Sequence, residues 1–480
     1  MPRDERIAPH IFKSYDIRGI VDEELTEAAA EQIGTAVVMA MPAKKLAVGR
    51  DMRSHSPRLE ASLIRGITRA GADVVRIGQC STPMSYFAAA TLGVDGAVMV
   101  TASHNPSHYN GFKLSKRGGE PMGQGTGLEK VQELVLSGKA AAAQHALRVG
   151  TVEETDLLAA WCRHLKQYVP EVPKLKIVLD CGNSVMGPIL KELLAHVDAA
   201  KRLETIWLFD EPDGTFPWHP ADPLNLVNLQ HLQGAVLATK ADFGVAFDGD
   251  GDRLAFVDEN AHFVGCDLMT ALFAQKLLSK PGNRGKLVFY DLRSSLAVRE
   301  AISAAGGVPE MCRVGHSHVK AAMRGLREGR LRHGDLKGEA LFAGELSGHF
   351  FFADCFTIDT SERAFLLALE LFASDPRSLG ERVAPLRKFW HSGEINYRLP
   401  SQPEMQKVLS RVEEQYAGEP MFKLDGVLVE SQRRWFNVRL SNTEPVIRVT
   451  AESLVSREDL QSLLREIEAL ITQCGGSRAK

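Results

Sequence analysis

Cysteine is scarce and scattered in this chain: seven residues in 480, at positions 80, 162, 181, 266, 312, 355 and 474. The number is odd and no pair stands at C-x-x-C spacing, so no disulfide framework is expected; reduced, structural thiols in a cytoplasmic protein are. Long apolar runs are missing too. No stretch reaches the ~18 residues a membrane helix needs, and the polar N-terminus has no apolar signal core, so no membrane partner is expected. Charge of one sign is not in excess: 57 Lys and Arg against 60 Asp and Glu, a net of −3. That argues against a nucleic-acid or anionic-membrane surface and leaves room for local basic pockets that take small anions. What is present, 44% hydrophobic and 24% charged residues, is an ordinary globular composition. The length exceeds one core and predicts about three or four domains.

Ala97–Val100 reads as a short buried strand. Asn105 and Pro106 stop it, so Ser103 is presented on a loop at the strand's carboxyl end, where open α/β sheets bind ligands. A hydroxyl beside His104, with Lys113 ten positions on, suits an activated nucleophile; an ordinary surface loop is the default for a lone Ser-His pair. Around this stretch, helical and strand patterns alternate. Helices are expected over 23–41, 58–70 and 83–91, strands over 46–49 and 73–77, and the three-glycine segment 123–127 has the wrong spacing for a dinucleotide loop. A helix over 154–168 opens a second round, with strands over 175–179, 205–208, 242–247 and 254–257. A third has helices over 268–278 and 295–304 and a strand over 286–290, with His316 and His318 on a loop before a helix over 319–326. The tail has strands over 394–399, 426–430, 435–440 and 446–450 and closing helices over 404–416 and 457–474. The expected fold is α/β: three related mixed α/β domains, 1–150, 151–262 and 263–375, and a C-terminal α+β, helix-on-sheet domain, 376–480.

Four loops carry chemistry. Asp248, Asp250 and Asp252, separated by glycines, would share one face of an extended chain and converge. Three carboxylates without a cation repel, and an all-oxygen set suits Mg²⁺ or Mn²⁺ rather than zinc. An EF-hand calcium loop is the alternative, with Glu259 at its twelfth position, but Arg253 stands where that loop needs glycine and the flanks are strands. A solvated acidic turn is the other alternative. Arg253 suits a phosphoryl group sharing the cation's charge. Glu345 and Ser347, on one side of an extended loop, suit adjacent sugar hydroxyls, although a capped turn explains them as well. Arg439, Ser441, Asn442, Thr443 and Arg448 combine hydroxyls, turn N–H groups and two guanidinium forks, the donor set of a phosphate site.

Together TASHNPxxYNGFK, DGDGDR, GExSGH and RxSNTEPxxR, in this order across the whole chain, resemble the α-D-phosphohexomutase superfamily, and within it the bacterial phosphomannomutase/phosphoglucomutase group. The resemblance implies four domains around a central cleft, each giving one loop: phosphoserine, metal-binding, sugar-binding and phosphate-binding. It implies phospho-Ser103 as the transferring group and, with Asp248, Asp250 and Asp252, as a ligand of Mg²⁺. His104, Lys113 and Arg253 would surround the phosphoryl group, the first two as proton-transfer candidates. Tyr15, Arg18, Arg293, His316, Glu345, Ser347, His349, Arg439, Ser441, Asn442, Thr443 and Arg448 would contact substrate. The implied reaction interconverts hexose 1-phosphate and hexose 6-phosphate of mannose or glucose through a hexose 1,6-bisphosphate, which also serves as activator, in a monomeric cytoplasmic enzyme acting on phosphosugars. Three features depart from the pattern: Arg293 stands where a lysine is expected, the stretch Asp359-Thr360-Ser361 lacks the Asp-Gly pair expected after the sugar loop, and residues are inserted before the Asp359 helix and around 327–338. Leu346 favours the mannose/glucose type over phosphoglucosamine mutase. A non-catalytic sugar-phosphate-binding protein and a Mg²⁺-dependent sugar phosphatase are the readings from other classes.

Overall fold

The computed structural model describes residues 7–143, 146, 148–168, 171–198, 201–327, 338–373, 375–441 and 445–479. They form two compact units, one of residues 1–265 with 347–380 and the other of 266–346 with 381–480.

The first unit holds two mixed sheets. In one, the parallel strands Lys45–Arg50, Asp73–Gln79 and Gly96–Val100 are joined at the edge by antiparallel Tyr109–Lys116 and Ile17–Ile20. Their inward residues, among them Leu46, Val48, Val74, Val98 and Phe112, form one buried core with Ile33, Val37, Leu59 and Leu63 of the covering helices Glu27–Ala40 and Ser56–Arg69. Thr26 starts the first of these helices, its hydroxyl accepting from the Ala29 N–H at 3.1 Å, which satisfies an otherwise orphaned donor. In the other sheet Leu175–Asp180 runs parallel to Leu203–Leu208 and Phe243–Phe247, and Leu254–Asp258 returns antiparallel. Phe243–Phe247 and Leu254–Asp258 are buried at every position, which explains their continuous apolar runs.

The second unit holds the parallel strands Leu287–Asp291, Val308–Cys312 and Ala340–Gly344. It also holds the C-terminal sheet, antiparallel throughout, in which Arg434–Leu440, Val446–Ser453 and Trp390–Arg398 are neighbours. The helices Gln402–Gln415 and Arg457–Gln473 cover that sheet, with Val408, Val412, Leu463 and Ile467 in its core. Three mixed α/β domains and a final antiparallel helix-on-sheet domain are therefore present, as expected.

Local differences have local causes. Residues 154–168 are not one helix: Val152–Glu154 adds a strand beside Asp73–Gln79, and the helix is Leu158–Leu165. His316 and His318 lie in the first turn of the helix His316–Arg327, not on a loop before it. All seven cysteines are free and buried. Among the described residues no helix is long and apolar enough to cross a membrane.

Candidate active site

Ser103 follows the buried strand Gly96–Val100 with its backbone in the left-handed region, φ +50°. Such a conformation costs a non-glycine residue about 1–3 kcal/mol and persists only where the surroundings impose it. Here they do. Arg53, wholly buried, donates to the carbonyls of Ser103 at 2.8 Å, Asn105 at 2.6 Å, Pro106 at 2.7 Å and Tyr109 at 3.0 Å. Asp51 aims it from 3.1 Å, and the Ser56 hydroxyl donates to the same carboxylate at 2.5 Å. A Cβ at Gly249 would lie 2.4 Å from the Ser103 carbonyl oxygen, so only glycine permits this approach. Arg53→Lys keeps the charge and loses the fork. A hundredfold fall in kcat, roughly what a small misplacement of a reacting group costs, with KM changing far less, is the expected outcome of steady-state kinetics on that variant.

The Ser103 hydroxyl donates to Asp248 Oδ2 at 2.9 Å and lies 3.3 Å from His104 Nδ1. Asp248, Asp250 and Asp252 sit on the loop between the antiparallel strands Phe243–Phe247 and Leu254–Asp258. The chain turns there rather than running extended: the Gly251 N–H donates to the Asp248 carbonyl at 3.3 Å. The turn, not alternation along a strand, brings the carboxylates together. An EF-hand does not survive this, since the flanks form a hairpin and Glu259 accepts instead from Ser378 at 2.6 Å and the Gly380 N–H at 3.0 Å.

Lys113 lies on Tyr109–Lys116, opposite Met99 of the strand before Ser103. Its ammonium donates to Asp250 Oδ2 at 2.7 Å and to Asp252. Asp250 Oδ2 also accepts from Thr82 at 2.6 Å. Burial disfavours the Lys113 ammonium, but Asp250, Asp252 and Asp248 outweigh it and raise its pKa, so it is a fixed cation in this arrangement. Arg253 donates to His349 Nε2 at 3.1 Å and stands 3.8 Å from Asp248 and 3.9 Å from Asp252. His349 Nδ1 meets the Ser347 hydroxyl at 2.9 Å. Arg18 reaches the Ser103 loop by donating to Asn105 Oδ1 at 2.6 Å and pairs with Asp16. Tyr15, half-buried, precedes the strand Ile17–Ile20; the Gln124 N–H donates to the Ser14 carbonyl at 2.9 Å, so the glycine-rich 123–127 segment braces this turn. Burial, then Arg253 and Arg18, push the His104 pKa well below its ordinary value, leaving a neutral imidazole.

The donor set fits a hard divalent cation. Asp248, Asp250 and Asp252 each offer a carboxylate oxygen, and these oxygens lie within 4.8 Å of one another, all buried. Asp250 Oδ1 is buried with no hydrogen-bond partner. Burial and the like charges of Asp252 and Asp250 raise the Asp248 pKa, a cost a cation would relieve.

The second unit carries a separate constellation. Glu345 accepts from the Gly315 N–H at 2.7 Å, beside His316. Residues 346–348 form a turn, so the loop from Glu345 to Ser347 is not extended as expected. The Leu346 N–H donates to Asp291 Oδ2 at 2.8 Å, which also takes Arg293 Nη2 at 2.7 Å. Arg439 and Arg448 are cross-strand partners. Both converge on a residue that sequence reasoning did not single out, Glu394, at 2.7 and 2.9 Å, and Arg293 joins them at 3.2 Å. Only the pairing register places Glu394 there; its sequence context is a plain strand. Ser441 is buried at the end of Arg434–Leu440. Asn442 and Thr443 lie outside the described residues.

Known proteins match this arrangement along the whole chain. The phosphoglucomutase/phosphomannomutase alpha/beta/alpha domains I, II and III match residues 9–142, 159–262 and 266–389, and the C-terminal domain of that family matches residues 394–470. The chain belongs to the phosphoglucomutase/phosphomannomutase family, whose members are isomerases of the mutase type. A phosphomannomutase of Salmonella typhimurium is 36% identical over 468 residues, covering 96% of this chain and 99% of its own. A Xanthomonas campestris protein named for phosphohexose mutases is 35% identical over 467 residues, covering 96% and 98%. The crystal structure of a phosphoglucomutase/phosphomannomutase family protein from Burkholderia thailandensis superposes with a TM-score of 0.86 at 30% identity, covering 98% of this chain and 99% of that one.

Proposed function

We propose that this chain interconverts the 1- and 6-phosphates of mannose and glucose through a phosphoserine at Ser103 and a hexose 1,6-bisphosphate. The observation that carries the reading is the Ser103 hydroxyl, held in a strained backbone and 2.9 Å from one of three buried aspartates. In the forward direction phospho-Ser103 gives its phosphoryl group to the free hydroxyl of a hexose phosphate. The P–O bond to Ser103 breaks, a P–O bond to the sugar forms, and the hydroxyl loses its proton. The Ser103 oxygen left behind takes up a proton as the sugar hydroxyl gives one up, so the transfer is neutral overall, and His104, 3.3 Å from Ser103 Oγ, is placed to exchange a proton with that oxygen. Lys113 and Arg253 supply fixed positive charge for the equatorial oxygens. Mg²⁺ at Asp248, Asp250 and Asp252 would add Lewis-acid stabilisation of the same charge. The bisphosphate then returns its other phosphate to Ser103, regenerating the phosphoenzyme, and free bisphosphate serves as activator by restoring any enzyme that has lost its phosphate.

Glu345, Ser347 and His349 read sugar hydroxyls, and Arg439, Ser441, Asn442, Thr443 and Arg448, with Arg293, hold the phosphate that is not reacting. Tyr15, Arg18 and His316 complete the contacts. Buried free thiols suit a reducing cytoplasm. A coupled assay with Mg²⁺ and a trace of glucose 1,6-bisphosphate tests the reading. Turnover of both glucose 1-phosphate and mannose 1-phosphate is expected. Turnover of glucosamine 1-phosphate alone would replace it by phosphoglucosamine mutase. Release of inorganic phosphate instead of isomer would make the protein a phosphatase.

A further inference from the structure

The position of Glu394 poses a physical problem. The proposed phosphate clamp needs its guanidinium groups for a dianion, yet one carboxylate already occupies three of them. Glu394 Oε2 takes Arg439 Nη2 at 2.7 Å and Arg293 Nη1 at 3.2 Å, and Oε1 takes Arg448 Nη1 at 2.9 Å. The arrangement is built rather than incidental. Between His391 and Glu394 the strand Trp390–Arg398 slips register against Val446–Ser453, and Gly393 there has φ +65°. Bulges of this kind re-aim the side chain that follows them. The Ser392 hydroxyl caps the bulge by accepting from the Ala451 N–H at 2.9 Å, and His391 Nε2 meets the Arg293 carbonyl oxygen at 2.8 Å. Burial opposes ionisation of Glu394, but Arg293, Arg439 and Arg448 outweigh it and lower its pKa to about 2, so the carboxylate is charged at any working pH. The forks are not saturated: Arg439 Nε and Arg448 Nε are buried without a hydrogen-bond partner.

We infer that Glu394 is the release element of the phosphate clamp, a carboxylate that stands in for the phosphate when the clamp is empty and competes with it when the clamp is full. Three guanidinium groups without a counter-charge repel one another and lose their alignment; Glu394 keeps them gathered. An arriving dianion must share or displace those N–H groups, and the like charge of Glu394 weakens the grip on it. A mutase that holds first one phosphate of the bisphosphate and then the other needs such a grip, firm enough to orient and weak enough to exchange. The inference rests on the reading of Arg439 and Arg448 as a phosphate site and deepens it.

Inorganic phosphate is the probe, as a competitive inhibitor of the wild-type enzyme with glucose 1-phosphate as substrate. Glu394→Gln keeps the shape and the acceptor oxygen and removes the charge. The expected result is a phosphate Ki at least about fivefold lower, a lower KM and a lower kcat, because release has become slow. Glu394→Asp keeps the charge and is expected to hold the phosphate Ki near the wild-type value, which separates charge from shape. An unchanged or raised Ki in Glu394→Gln, in protein with wild-type circular dichroism, would overturn the inference and leave Glu394 an orienting residue only. Arg439→Ala is the control. It should raise the phosphate Ki; no change would remove the clamp reading itself, and the inference with it, whatever Glu394→Gln does.

Discussion

Ser103→Ala is expected to lower hexose-phosphate interconversion by about 10⁴-fold or more, the scale on which removing a covalent-catalysis nucleophile acts. The substitution removes one oxygen that meets Asp248 and His104. It leaves untouched the four carbonyl bonds from Arg53 and the close contact with Gly249, so the loop keeps its shape. Alanine tolerates the left-handed backbone about as well as serine does. The loss should therefore appear in kcat with melting temperature and circular dichroism near those of the wild type. Normal turnover by this variant would show that Ser103 does not carry the phosphoryl group.

Asp250→Asn should have the next largest effect. Asparagine keeps the volume and can still accept from Thr82 and Lys113, but it removes one of three negative charges that lie within 4.8 Å of one another. Mg²⁺ affinity by calorimetry should fall about 10–100-fold, and kcat about 10²–10³-fold, the usual consequence of deleting one group that stabilises developing charge. The two readouts separate a metal role from a packing role. A second sign distinguishes them further. Without Mg²⁺ the variant gives up carboxylate repulsion and, with it, one charge partner of the buried Lys113 ammonium, so the sign is read from the gain on adding Mg²⁺. With Mg²⁺ the wild type should gain more in melting temperature. Equal Mg²⁺ affinity in both proteins would count against Asp250 as a ligand.

The parts of this site that the sequence shows are those whose chemistry sits within a few residues. Asp248 to Arg253 announce themselves because three carboxylates at alternate positions need a reason, and Ser103 because a turn follows a buried strand. What the sequence conceals is whatever a second segment supplies. Arg53 stands 50 residues before the loop it holds and reads as part of an ordinary polar turn. Glu394 stands 45 residues from Arg439, in a strand whose alternation gives no hint that a bulge re-aims it. Lys113 is visible as a charge but not as a residue of a strand, paired on both sides, that aims it at Asp250 and Asp252. The fold followed the same rule. Alternating helical and strand patterns reveal three α/β rounds and an α+β tail, because long buried runs and amphipathic helices are local. Short edge strands such as Val152–Glu154 depend on pairing with a distant partner and carry no signal of their own.

The most direct measurement is phosphoryl transfer itself. Folded, Mg²⁺-loaded protein would be incubated with glucose 1,6-bisphosphate labelled in its phosphates, separated from the sugar, digested and sequenced by mass spectrometry. The account predicts label on the peptide containing Ser103, lost to the sugar when unlabelled glucose 1-phosphate is added. A protein that turns over substrate without ever carrying label on Ser103 would contradict it.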